Sequence, residues 1–72
     1  MDTTIKLSSE FIKLDGLLKT TQVVDSGGEA KQLIQANQVR VNGEPVTQRA
    51  RKIRPGDVVE VDGDPATRIL VK

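Results

Sequence analysis

"LDGLLKTTQVVDSGGEAKQLIQANQVRVNG", Leu14 to Gly43, decides the fold because its hydrophobic period changes partway along. Ser26 stands three residues before Glu29 in "SGGE". The Ser26 side chain can accept from the Glu29 backbone N–H while the Glu29 carboxylate reaches back, which is a capping box. Beyond it, Ala30, Leu33 and Ile34 form one apolar face. Lys31, Gln35 and Gln38 form a polar stripe at i, i+4 and i+7, the pattern of a surface helix. Asn37 tolerates the left-handed conformation that ends such a helix. The period then drops to two: Val39 and Val41 point one way and Arg40 the other. Asn42-Gly43 is a hairpin-turn signal.

Upstream, Leu14, Leu17 and Leu18 recur at helical spacing. This predicts a first helix from about Lys13 to Thr20, with a start as early as Glu10 if Ser9 caps it. Gly16 inside it costs about 1 kcal/mol relative to Ala. The helix fades in the β-branched run "TTQVV". Further out, "TIKLS" alternates as a short strand with Ile5 and Leu7 on one side. Pro45 lacks an N–H, which makes the return strand of the hairpin short or an edge strand. "RPGD" suits a type II turn with Pro55 and Gly56 at its centre. "VVEV" reads as a buried strand, "DGDP" as another turn, and "ATRILVK" as a last strand paired with the first. The expectation is an α+β domain spanning 1–72. Two helices pack on one side of a small sheet of about four to five short strands.

The chain has 72 residues and contains neither Cys nor His, which argues against a disulfide or a structural zinc site. Aliphatic side chains must supply the core, since Phe11 is the only aromatic residue. No activated nucleophile or imidazole base is present, so no enzyme activity and no cofactor are expected. Asp62 and Asp64 flank Gly63 before Pro65, which is turn chemistry rather than a calcium loop. No signal peptide or membrane-spanning run is seen. The expectation is a cytoplasmic protein with no membrane partner.

Net charge is +1, but its distribution is uneven. Residues 1–38 carry four lysines and five acids; residues 39–57 carry five cations and two acids; residues 58–72 carry two cations and three acids. Most of the surplus lies in "QRARKIRPGD", where Arg49, Arg51, Lys52 and Arg54 fall close together. A short basic run is commonly a solvated loop. Clustering without interspersed acids, with Lys31 and Arg40 as outward residues of neighbouring elements, favours a footprint for nucleic acid. Gly27-Gly28 at the second helix start admits two readings, a phosphate contact through free N–H groups or a simple backbone entry beside the Ser26 cap. No Walker-type lysine follows, so it is not a nucleotide loop.

The joint order of these motifs resembles the RNA-binding domain named after ribosomal protein S-four, also called the alpha-L motif. That pattern is carried by Leu14-Asp15, Ser26, Glu29 to Ile34, Val39 to Gly43, and Pro55 to Val59, over about residues 13–61. "DSGGEAK" is similar to the small stand-alone bacterial members, some of them ribosome-associated. The resemblance implies recognition of structured RNA, either ribosomal RNA or tRNA, and association with ribosomal subunits; a monomer is expected. It implies an RNA face made of Lys13, Ser26, Gly27, Lys31, Gln35, Arg40 and the loop cations Arg49, Arg51, Lys52 and Arg54. On this view the loop is the flexible edge of a grip whose rigid part is the helix carrying Lys31. Two positions depart from the pattern: Gly27 stands where a basic residue is common, and Asn37 where glycine is. Without Trp or Tyr, recognition is expected to read shape and phosphates rather than stacked bases.

Two alternatives come from other classes. "VNGEPV" and "IRPGDVVEV" also resemble β-grasp sulfur carriers, but the ending "TRILVK" lacks their reactive Gly-Gly. A protein-binding adaptor using an open sheet edge is the other.

Overall fold

The computed structural model describes residues 2–63 and 65–72, so the Asp64 part of the expected "DGDP" turn lies outside the described residues. In chain order the elements are β1 (Asp2–Ile5), β2 (Ile12–Lys13), α1 (Leu14–Thr20), α2 (Gly27–Gln35), β3 (Val39–Val41), β4 (Glu44–Pro45), β5 (Lys52–Ile53), β6 (Val58–Val61) and β7 (Thr67–Val71). The main sheet has the order β1-β7-β6-β3-β4. Its pairs are antiparallel except β1 with β7, where the expected pairing of first and last strands forms in parallel. β2 and β5 make a separate two-stranded sheet that the sequence pattern does not reveal.

One face of the main sheet is aliphatic because alternate residues of its central strands β3, β6 and β7 are Val or Ile. Val39, Val41, Val59, Val61, Ile69 and Val71 are buried on that face. Leu14, Leu17 and Leu18 of α1 and Ala30 and Ile34 of α2 close the core with them. Each fully buried leucine or isoleucine contributes about 1.5–3 kcal/mol.

The helix ends follow local chemistry. α2 begins at Ser26, whose Oγ accepts from the Glu29 N–H at 3.3 Å. Among the described residues the Glu29 carboxylate makes no return bond, so half of the capping box is formed. α2 ends at Asn37, with φ of 64° as expected. The Asn37 and Gln38 N–H groups donate to the Ile34 and Leu33 carbonyls, a Schellman cap. α1 ends the same way: Gln22 takes φ of 62°, and the Gln22 and Val23 N–H groups donate to Lys19 and Leu18. At the other end of α1, Ser9 does not cap the helix. Its hydroxyl donates to the Phe11 carbonyl at 2.9 Å, and the chain enters α1 from strand β2.

The Asn42-Gly43 and Pro55-Gly56 turns form as expected. Asn42 and Gly43 have φ of 53° and 85°, the left-handed pair of a tight hairpin between β3 and β4. Gly56 has φ of 98°, and the Asp57 N–H donates to the Arg54 carbonyl at 3.0 Å. β4 is a two-residue edge strand, which accommodates Pro45.

Candidate nucleic-acid interface

The first turn of α1 must satisfy its backbone N–H groups, and Lys13 at its N-cap offers no side-chain acceptor. The basic loop does this with its main chain. The Leu14 N–H donates to the Arg51 carbonyl at 2.9 Å, and the Asp15 N–H to the Arg49 carbonyl at 3.1 Å. The loop is further held by Ile53, which is fully buried, and by pairing of Ile12 with Ile53. It is therefore an anchored segment rather than the flexible edge the sequence suggests. Its carbonyls turn toward the helix, and the side chains of Arg49, Arg51 and Lys52 are exposed.

The same pairing sets Lys13 directly opposite Lys52. Side chains at such positions lie about 4.5–5.5 Å apart at Cβ, and like charges there are destabilising. The positive end of the α1 dipole adds to the repulsion. Asp15 in the first turn is the acid nearest in sequence, and it accepts from the Gly16 N–H at 2.8 Å. Among the described residues, Lys13, Arg49, Arg51 and Lys52 carry no salt bridge. Lys52 instead places its Nζ 4.9 Å from the centroid of the Phe11 ring.

Arg54 is exposed at the start of the Pro55-Gly56 turn, beside a latch that joins this turn to the Asn42-Gly43 hairpin. The Asp57 carboxylate accepts from the Arg54 N–H at 2.8 Å and from the Asn42 amide at 3.0 Å, while the Asn42 oxygen accepts from the Val58 N–H at 2.9 Å. Burial pushes the Asp57 carboxyl up. The Arg54 N–H, the Asn42 amide and the charges of Arg51 and Arg54 together outweigh it and hold the group below its ordinary value. The latch therefore contributes fully above the ordinary carboxylate pKa and is lost as pH falls through the lowered one. Sequence reading assigns Asn42 and Asp57 only to their turns and misses the bond between them.

On α2, Lys31 and Gln35 are exposed. Ser26 is engaged as the helix cap. Gly27 is the first residue of α2, and a Cβ added there would meet nothing within 4 Å. Nothing in the backbone requires glycine at this position.

Arg40 lies elsewhere. Its neighbours Val39 and Val41 face the core, so Arg40 is on the opposite face of the sheet from the helices. The strand register there sets Arg40 opposite Glu60, Glu60 opposite Arg68, and Arg68 opposite Asp2. Arg40 also forms a 2.8 Å ion pair with Asp62. The structure thus brings Lys13, Arg49, Arg51 and Lys52 together around the start of α1, and it does not bring Arg40 to them. An open groove of about 520 Å³ lies beyond the other end of α1. It is lined by Val23, Val24, Leu33, Val61, Glu29 and Asp62, among others, with no cation among its described lining residues.

The model of a family described as the S4 domain matches residues 5–70. The chain belongs to the S4 domain family. The match extends past the 13–61 resemblance at both ends and takes in all but the last residue of β7. It also covers both stretches that suggest a sulfur carrier. A curated relative, the "Probable ribosome maturation protein RlbA" of Bacillus subtilis, is 44% identical over 59 residues, covering 82% of this chain and 83% of that protein. The structure of Heat Shock Protein 15 from Vibrio cholerae, described as trimeric, superposes with a TM-score of 0.66 at 17% identity. That alignment covers 74% of this chain and 52% of the other, so the likeness spans about half of that protein and concerns the fold. No helix among the described residues is long and apolar enough to cross a membrane.

Proposed function

We propose that this protein binds structured RNA, with ribosomal RNA as its target, and acts in the cytoplasm in ribosome maturation without catalysing a reaction. The observation that carries this reading is the Lys13–Lys52 cross-strand pair, flanked by Arg49 and Arg51 on a loop tied to α1. Four cations at one helix end, none of them in a salt bridge among the described residues, suit a row of phosphates. Membership of the S4 domain family and the ribosome maturation protein among its relatives support the choice of RNA and of the ribosome. Lys31 and Gln35, with Ser26 and Gly27 at the head of their helix, extend the surface along α2, and Arg54 extends it toward the Asn42–Asp57 latch. Arg40 serves the sheet instead.

Binding of this kind reads the path of the backbone rather than sequence. With about four phosphate contacts, affinity falls on the order of 100-fold between roughly 50 and 200 mM salt. Crosslinking in cells followed by sequencing of the bound RNA tests the target, and a salt titration on the recovered fragments tests the mechanism. Recovery of no RNA above background, or an affinity indifferent to salt, overturns the proposal.

A further inference from the structure

Phe11 is the only aromatic residue of the chain, yet it is not part of the core. The neighbouring Ile12 packs against the core, whereas Phe11 sits half-buried at the point where the chain enters β2. Its ring lies under the Lys52 ammonium, beside the Lys13–Lys52 pair. A partly exposed apolar ring among cations does little for the fold, and a cation–π contact at an exposed site is weak.

We propose that the Phe11 ring is a stacking platform for one unpaired nucleobase, whose flanking phosphates are held by Lys13, Arg51 and Lys52. This rests on the RNA-binding reading and specifies which RNA feature the site selects. The Lys52 ammonium exchanges the ring for a phosphate, a stronger partner, and the base takes its place over the ring. Every base has a face that can stack, so the platform is indifferent to sequence. A base inside a continuous duplex has both faces covered by its neighbours. The platform therefore distinguishes RNA with an extruded base from RNA that is fully paired, a discrimination that phosphate contacts alone do not supply.

The chain has no Trp or Tyr, so Phe11→Trp introduces a single fluorophore at the site. Its emission and affinity are measured with two RNA hairpins of equal length, one carrying a single bulged adenine and the other fully paired. Wild type and Phe11→Trp should prefer the bulged hairpin by about tenfold. Indole emission should be quenched by that hairpin and not by the paired one. Phe11→Leu, which keeps apolar bulk, should bind both hairpins with the affinity of the paired one and with an unchanged salt slope. Retention of the preference in Phe11→Leu, or binding of the bulged hairpin by Phe11→Trp without quenching, overturns the platform while leaving the phosphate grip standing. If wild type binds neither hairpin at low salt, the RNA-binding reading falls and the platform falls with it.

Discussion

Two sets of charged side chains face one another across strands in this molecule, and their arrangements are opposite. On the outer face of the main sheet, Arg40, Glu60, Arg68 and Asp2 alternate in sign from strand to strand, and Asp62 closes the end with its 2.8 Å bond to Arg40. On the small sheet, lysine faces lysine, with Arg49 and Arg51 beside them at the positive end of a helix. Opposite charges across a strand pair contribute about 0.2–1 kcal/mol, and like charges destabilise. The first arrangement is explained by folding alone. The second works against folding, and the proposed RNA grip accounts for it. Formal charge counts do not separate the two, because each involves basic residues on exposed or half-exposed strands. Register separates them.

The strongest test of that contrast is charge reversal on the like-charged side. Arg51→Glu combined with Lys52→Glu should lower affinity for ribosomal RNA fragments on the order of 100-fold at about 100 mM salt. Both side chains are exposed, so the fold should persist by circular dichroism. Unchanged affinity would remove the proposed grip. A smaller effect, and one of a different kind, is expected on the alternating side. Arg40→Glu breaks the pair with Asp62 and sets a like charge opposite Glu60, so urea denaturation should show a loss of about 1 kcal/mol. RNA affinity should stay within about twofold. A loss of RNA binding at unchanged stability would return Arg40 to the interface. The subtlest test is Lys13→Gln, which relieves the lysine pair. Stability should rise by a few tenths of a kcal/mol. RNA affinity should fall about threefold, and its salt slope should drop by about one. A less stable Lys13→Gln protein would mean that the lysine pair is held for structural reasons.

Much of the fold is legible in the sequence where local chemistry decides it. The Ser26 cap, the apolar face of Ala30 and Ile34, the left-handed Asn37, the Asn42-Gly43 hairpin and the Pro55-Gly56 turn each rest on residues a few positions apart. The β2–β5 pair does not. Two-residue strands have no period to read, and Lys13 meets Lys52 only because the intervening chain folds back. Gln22 in a left-handed cap is also hidden, since Gln carries no preference for that conformation, unlike Asn37. Arg40 is a partial success. Alternation shows that it points away from Val39 and Val41, but not that the helices lie on the other side. The family resemblance located the basic residues in order along the chain. It implied that all of them, Arg40 included, share one RNA face; which cations the fold brings together depends on the β2–β5 pairing and on which carbonyls cap α1.

That cap has a consequence for how binding would be sensed. The amide protons of Leu14 and Asp15 are held by the same short segment that carries the exposed Arg49 and Arg51 of the proposed grip. Any ligand that immobilises the segment slows the fraying of the first turn of α1, and any force that lifts the segment frees two amides at once. Their exchange with solvent is thus a gauge of occupancy written into the backbone, readable without a label.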